Sequence, residues 1–153
     1  MATLTVTHTE NITLNGQQFG GTTVKAFAGI AEISKRILTI TTTECVIGTF
    51  SSAVASAGHY TAADVRYIRF TNLDSSNFIT LTFRNQDNDE VAIKVDAGQS
   101  FVLNGDNANG MTAIFNATQD ADAASDTAFG SLTNIQADAN TGSCDLEVII
   151  ASV

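Results

Sequence analysis

The sequence predicts an all-β fold, a sandwich or barrel of antiparallel strands, and three observations carry that expectation. Threonine recurs in alternation with Val, Ile, Leu and Phe, the pattern of a pleated surface with one face buried. Asn, Asp and Gly punctuate these runs at spacings of about 8–13 residues, the rhythm of short strands joined by turns. The 153 residues, 44% hydrophobic and 15% charged, have the size of one domain over 1–153. A chain of this length builds a core without metals or disulfides.

Taken in order, residues 3–7 alternate Thr with Leu4 and Val6 and read as the first strand. Residues 11–14 form a short extended piece closed by Asn15-Gly16, and 22–27 follow Gly20-Gly21 as another strand. Residues 30–42 are longer and most strand-like at 37–41; 31–36 has the composition of one helical turn but lacks a cap. Residues 51–58, small and rich in Ala, are expected as a loop or short helix. In 65–71, Arg66, Ile68 and Phe70 share one face; in 77–84, Ile79, Leu81 and Phe83 oppose Thr80, Thr82 and Arg84. Turn formers at 72–77 make these two segments the strongest hairpin candidate.

After a polar turn at 85–89, residues 90–95 direct Val91, Ile93 and Val95 inward, and 99–103 run to Asn104-Gly105. Short strands at 112–116 and 132–135 flank 117–130, a small, acidic stretch without apolar periodicity that reads as one long loop. The last strand, 144–151, sets Cys144, Leu146, Val148 and Ile150 on one face. Its apolar content predicts a place in the middle of a sheet.

Charge narrows the function classes. There are 16 acids and 7 bases, a formal net charge of −9. Every base lies between Lys25 and Lys94, whereas residues 95–153 hold acids alone. That balance argues against general nucleic-acid binding, which needs clustered Lys and Arg. No run approaches the ~18 apolar residues of a membrane helix. The first residues lack the basic flank and apolar core of a secretion signal, so folding in a cytosol is expected. An acidic half can steer a basic partner, but Asp suits solvated turns better than Lys does, and that reading is preferred.

Motifs that carry chemistry are sparse. Cys45 and Cys144 are far apart and form no Cys-x-x-Cys pair, and two buried free thiols are expected in a reducing compartment. His8 and His59 stand alone, without a nucleophile elbow, a zinc-protease motif or a phosphate loop. Residues 87–90 and 104–110 have the composition of calcium loops but lack the ligand order, and hairpin turns share that composition. Neither catalysis nor a cofactor or metal is expected. Arg66, Arg69 and Arg84 sit on the two strands of the predicted hairpin. If Arg69 and Arg84 face outward together, they offer donor forks to an acidic partner; otherwise nearby Asp residues pair with them.

Three segments carry a resemblance: Arg66-Tyr67-Ile68-Arg69-Phe70-Thr71-Asn72-Leu73-Asp74 followed by Asn77-Phe78-Ile79, Glu32-Ile33-Ser34-Lys35-Arg36-Ile37 upstream, and Ala97-Gly98-Gln99-Ser100-Phe101-Val102-Leu103 downstream. Together they resemble small structural proteins from the virion modules of tailed phages of marine bacteria. The resemblance covers residues 11–104 and the last strand, and it consists of strand and turn patterns. It implies a jelly-roll-like β-sandwich serving as a capsid decoration or cement protein on the major capsid protein or other virion proteins. It also implies a homo-oligomer, a trimer favoured, located in the virion after assembly in the host cytoplasm. No catalytic or binding residue carries over. The alternatives are another virion component (tail tube, stopper or head fibre) and a glycan-binding sandwich adhesin. A small hydrolase built on Cys45 or Cys144 with a His is the remaining reading.

Overall fold

In the computed structural model, residues 1–54, 56–112, 114–115 and 128–153 are described. Alternating side chains divide them into β1 (Ala2–Thr9), β2 (Thr13–Leu14), β3 (Gln17–Gln18), β4 (Thr22–Ile30), β5 (Glu32–Ile40), β6 (Cys45–Ser51) and β7 (His59–Thr61). There follow β8 (Val65–Asn72), β9 (Ile79–Asn85), β10 (Glu90–Val95), β11 (Ser100–Asn104), β12 (Leu132–Ala139) and β13 (Cys144–Ser152). The fold is all-β, as the alternation requires. The region 31–36 is extended from Glu32 onward, because Ile33, Lys35 and Ile37 alternate with Ser34, Arg36 and Leu38 across β5 rather than forming a helical stripe.

Two sheets pack face to face, one ordered β11-β8-β13-β5 and the other β10-β9-β12-β6-β7. All their pairings are antiparallel except β6 with β7. The chain pairs from its ends inward: β5 with β13, β6 with β12, β8 with β11, and β9 with β10. β13 lies between β8 and β5, the interior position its apolar content predicts. The core closes between the sheets. Ile68 and Phe70 of β8 and Leu146, Val148 and Ile150 of β13 meet Ile79, Leu81 and Phe83 of β9 and Ile135 of β12. Phe70 and Phe83 touch edge to face, their centroids 6.3 Å apart.

The predicted hairpin of 65–71 with 77–84 does not form. β8 and β9 belong to opposite sheets, because each has an apolar face that closes on the other's rather than an edge that pairs with it. Asn72, fully buried, fixes the crossing. Its Nδ2 donates to the carbonyls of Asn77 (2.8 Å) and Val95 (3.1 Å), and its Oδ1 accepts from the Asp74 amide (3.0 Å). The β9–β10 hairpin does form, across the polar turn at 85–89. There Ile93 is half-buried and Val95 buried, while Val91 at the outer end of this edge strand stays exposed. The strand beginning at Leu132 runs on to Ala139, well past the expected 135. The strand expected at 112–116 is not seen: Thr112, Ile114 and Phe115 lie in turns, with Ala113 and Asn116 outside the described residues. Most of the acidic loop, 117–127, lies outside them too.

Residues 2–30 form one ribbon. β1 pairs with β4 and β2 with β3, in one register from Leu4 opposite Phe27 through Thr9 opposite Thr22 to Thr13 opposite Gln18, with a register shift between Ala2 and Leu4 at the base. Asn15 and Gly16 close it with φ of 52° and 79°, the left-handed pair that a tight hairpin turn demands. The ribbon's base forms a third layer on the outer face of the first sheet. There Phe27 and Ile30 pack with Tyr67 and Ala151, flanked by Leu4, Val6, Val102 and Ile149.

Candidate interaction surface

Side-chain alternation along the ribbon gives one continuous face. Leu4, Val6, His8, Glu10, Ile12 and Leu14 occupy it from one strand, and Gln17, Phe19, Thr23, Lys25 and Phe27 from the other. At the base this face is covered by the first sheet. At the tip it is uncovered: Ile12, Leu14 and Phe19 are 55%, 58% and 60% exposed. The reverse face of the tip is polar, with Thr13 bonded to Gln18. Gly20 permits the close approach of the two strands between base and tip, since a Cβ there would lie 1.8 Å from the Glu10 carbonyl oxygen. The tip is therefore a small amphipathic hairpin held away from its own core.

A second exposed apolar strip lies on β5, which ends the first sheet. Ile33 and Ile37 are 58% and 59% exposed on its outer face, with Lys35 between them. Lys35 reaches Glu147 of the neighbouring β13 at 2.8 Å, and Glu147 also pairs with Arg69 of β8. The Lys35 hydrogen bond, with Arg69 beside it, holds the Glu147 carboxyl below the usual carboxylate range.

The three arginines expected at an interface are not brought together. Arg69 lies on the outer face of the first sheet against Glu147, and Arg84 lies in the second sheet, where its Nε donates to Glu90 at 2.7 Å. Arg66, half-buried, donates to the Ala63 carbonyl. Arg69 and Arg84 cannot share a surface, because β8 and β9 are in different sheets. All three have partners within the chain, the acids being glutamates on adjacent strands.

On the open side of the sandwich, between β5 and β7, lies a groove of about 520 Å³ lined by Ser34, Arg36, His59, Tyr60 and Asp64 among others. The Tyr60 hydroxyl donates to Ser34 across it at 3.2 Å, and Arg36, which also lines it, donates to the Ile47 carbonyl at 2.8 Å. His8 is exposed on the ribbon, in a different element from His59. The thiols are free, but only Cys144 is buried, where burial and then Asp74 push its pKa up. Cys45 is exposed, because it opens β6 at the sheet end instead of sitting within the core.

The segments with calcium-loop composition engage their acids within the chain: Asp87 accepts from Gln86 Nε2 at 2.8 Å, Asp89 accepts from Asn85 Nδ2 at 3.0 Å, and Glu90 pairs with Arg84. Asp106 accepts from the Ala108 and Asn109 amides, both at 2.8 Å, and these bonds depress its pKa. Asn85 accepts from the Asp87 and Asp89 amides, each at 2.8 Å. Among the described residues no group of three potential metal ligands comes together. No described helix is long and apolar enough to cross a membrane.

Sequence reasoning missed the ribbon tip and the β5 strip. The tip was detectable: Ile12, Leu14 and Phe19 fall on one face once Asn15-Gly16 is taken as a two-residue turn. No protein-family model matches the chain, and no curated protein or solved structure matches it significantly.

Proposed function

We propose that the chain is a virion structural protein of a tailed phage, specifically a capsid decoration or cement protein that stabilises the head by binding the major capsid protein. The strand order carries the reading. Setting aside the ribbon and β7, the eight remaining strands run β5, β6, β8, β9, β10, β11, β12, β13, and they interleave as β11-β8-β13-β5 over β10-β9-β12-β6. That nested order supports a jelly roll, an architecture recurrent in viral capsids and lectins. Fold alone does not assign function. The likeness of residues 11–104 to virion proteins favours the capsid use, and so does a ribbon that offers apolar side chains to a neighbour. A lectin-like adhesin fits less well, because among the described residues Phe19 is the one aromatic in the set of large exposed hydrophobic side chains.

The test is quantitative mass spectrometry of purified virions, joined to binding of the purified chain to capsids that lack it. A fixed ratio to the major capsid protein and a raised capsid melting temperature are expected. Absence from virions together with no capsid binding would overturn the proposal. A six-fold ring seen by electron microscopy in the tail would move the assignment to the tail tube.

A further inference from the structure

We infer that the ribbon tip is a docking element whose receptor is the outer face of β5 on a second copy of this chain. A two-stranded ribbon with no third layer is marginal in water, so a tip exposing Ile12, Leu14 and Phe19 on one face calls for a cover. The tip's own body leaves that face open, whereas the ribbon's base has the first sheet beneath it.

Two features identify the cover. The first is spacing. Glu10, Ile12 and Leu14 repeat every second residue along one strand, as do Ile33, Lys35 and Ile37 on β5, at about 6.6–6.8 Å per step in both. Setting Glu10 against Lys35 therefore brings Ile12 onto one of the two exposed isoleucines. The second is charge. Glu10 is the only acid in the first 31 residues, and Lys35 is the base between the two isoleucines, its side chain 59% exposed while on Glu147. The remainder of the molecule is strongly acidic, so two bodies repel one another. A nearly neutral tip on a strip bearing a cation is a contact that avoids this repulsion.

One such contact is small beside the roughly 800 Å² per partner of a standard interface. Because tip and strip are different surfaces, the contact is heterologous, and a closed ring uses it twice per copy. The inference does not depend on the virion assignment.

Sedimentation equilibrium of the full chain tests it, with Ile12→Thr/Phe19→Thr on the tip, Ile33→Thr/Ile37→Thr on the strip, and all four together. The wild type is expected as a closed ring at micromolar concentration. Each double variant should weaken association at least ~30-fold, and the quadruple variant should be no weaker than the worse double. All the substituted side chains are exposed, so unchanged circular dichroism, with a melting temperature matching that of the wild type at concentrations where it is monomeric, will certify folding. Glu10→Gln and Lys35→Gln should each weaken association about 3-fold, and their combination no further, as for a partly solvated ion pair. A monomeric wild type at 100 times that concentration would overturn the inference. So would a ring that survives either double variant, or one lost with the tip variant alone, which would mean that tips meet one another.

Discussion

Asn72 carries more of the architecture than its composition suggests. A buried Asn with three side-chain hydrogen bonds joins the segment leaving β8 to the end of β10. Its own amide and carbonyl bond to Gln99 and Gly98. Asn72→Ala strands two buried carbonyls and an amide, and should lower stability by about 2–3 kcal/mol in urea unfolding. Asn72→Asp should cost more, because a carboxylate would face two carbonyl oxygens. Glu147 gives a pH signature. Its folded-state pKa lies below the unfolded value, so its contribution is present above about pH 4.3 and fades as pH falls through the folded value. The stability difference between wild type and Glu147→Gln should therefore be largest near neutrality and shrink in acid, as unfolding free energies at pH 7 and pH 3 will check. In the sequence Asn72 looked like a turn former, and its burial was hidden because the Val95 carbonyl it satisfies is distant in the chain.

At the scale of elements, most strands were legible and most partners were not. Alternation marks a strand whenever one face is buried, which is why residues 144–151, 90–95 and 3–7 stood out. Pairing is set by which faces close on one another across the whole chain. The turn-rich 72–77 therefore suggested a hairpin where the chain in fact crosses between sheets. Phe83 is the element-scale test. It meets Phe70 across the sandwich and also contacts Phe101 and Phe115, with centroids 5.9 Å away in each case. Phe83→Ala should cost about 3–5 kcal/mol in denaturant unfolding, since one cavity would open against both sheets. The candidate surface was less legible than the fold. Arg66, Arg69 and Arg84 were conspicuous by type, yet each is occupied within the chain, whereas Ile33 and Ile37 looked like ordinary strand residues. An apolar side chain on an edge strand announces its exposure only once the sheet order is known.

For the molecule as a whole, two layers of different security follow from the packing. The sandwich core is continuous across both sheets, while the ribbon is attached through a small separate cluster around Phe27, Ile30, Tyr67 and Ala151. Amide hydrogen exchange at concentrations where the chain is monomeric should show protection graded accordingly. Amides of β13 should exchange only on global unfolding, and those of β2 and β3 fastest among the strands, with β1 and β4 between them. Equal protection of tip and core in the monomer would mean that the ribbon is secured in a way the packing does not explain.

The inward nesting of strand pairs also constrains the order of events in folding. β5 is among the early strands made, yet its partner β13 comes more than 100 residues later, and β8 also waits for that strand. Among the antiparallel pairs of the two sheets, only the β9–β10 hairpin closes locally as the chain emerges. β6 waits for β12, and β5 and one edge of β8 stay unpaired until β13 arrives between them. Such a high contact order slows folding, and it makes the nascent chain most vulnerable to association with other copies in the interval before β13 becomes available.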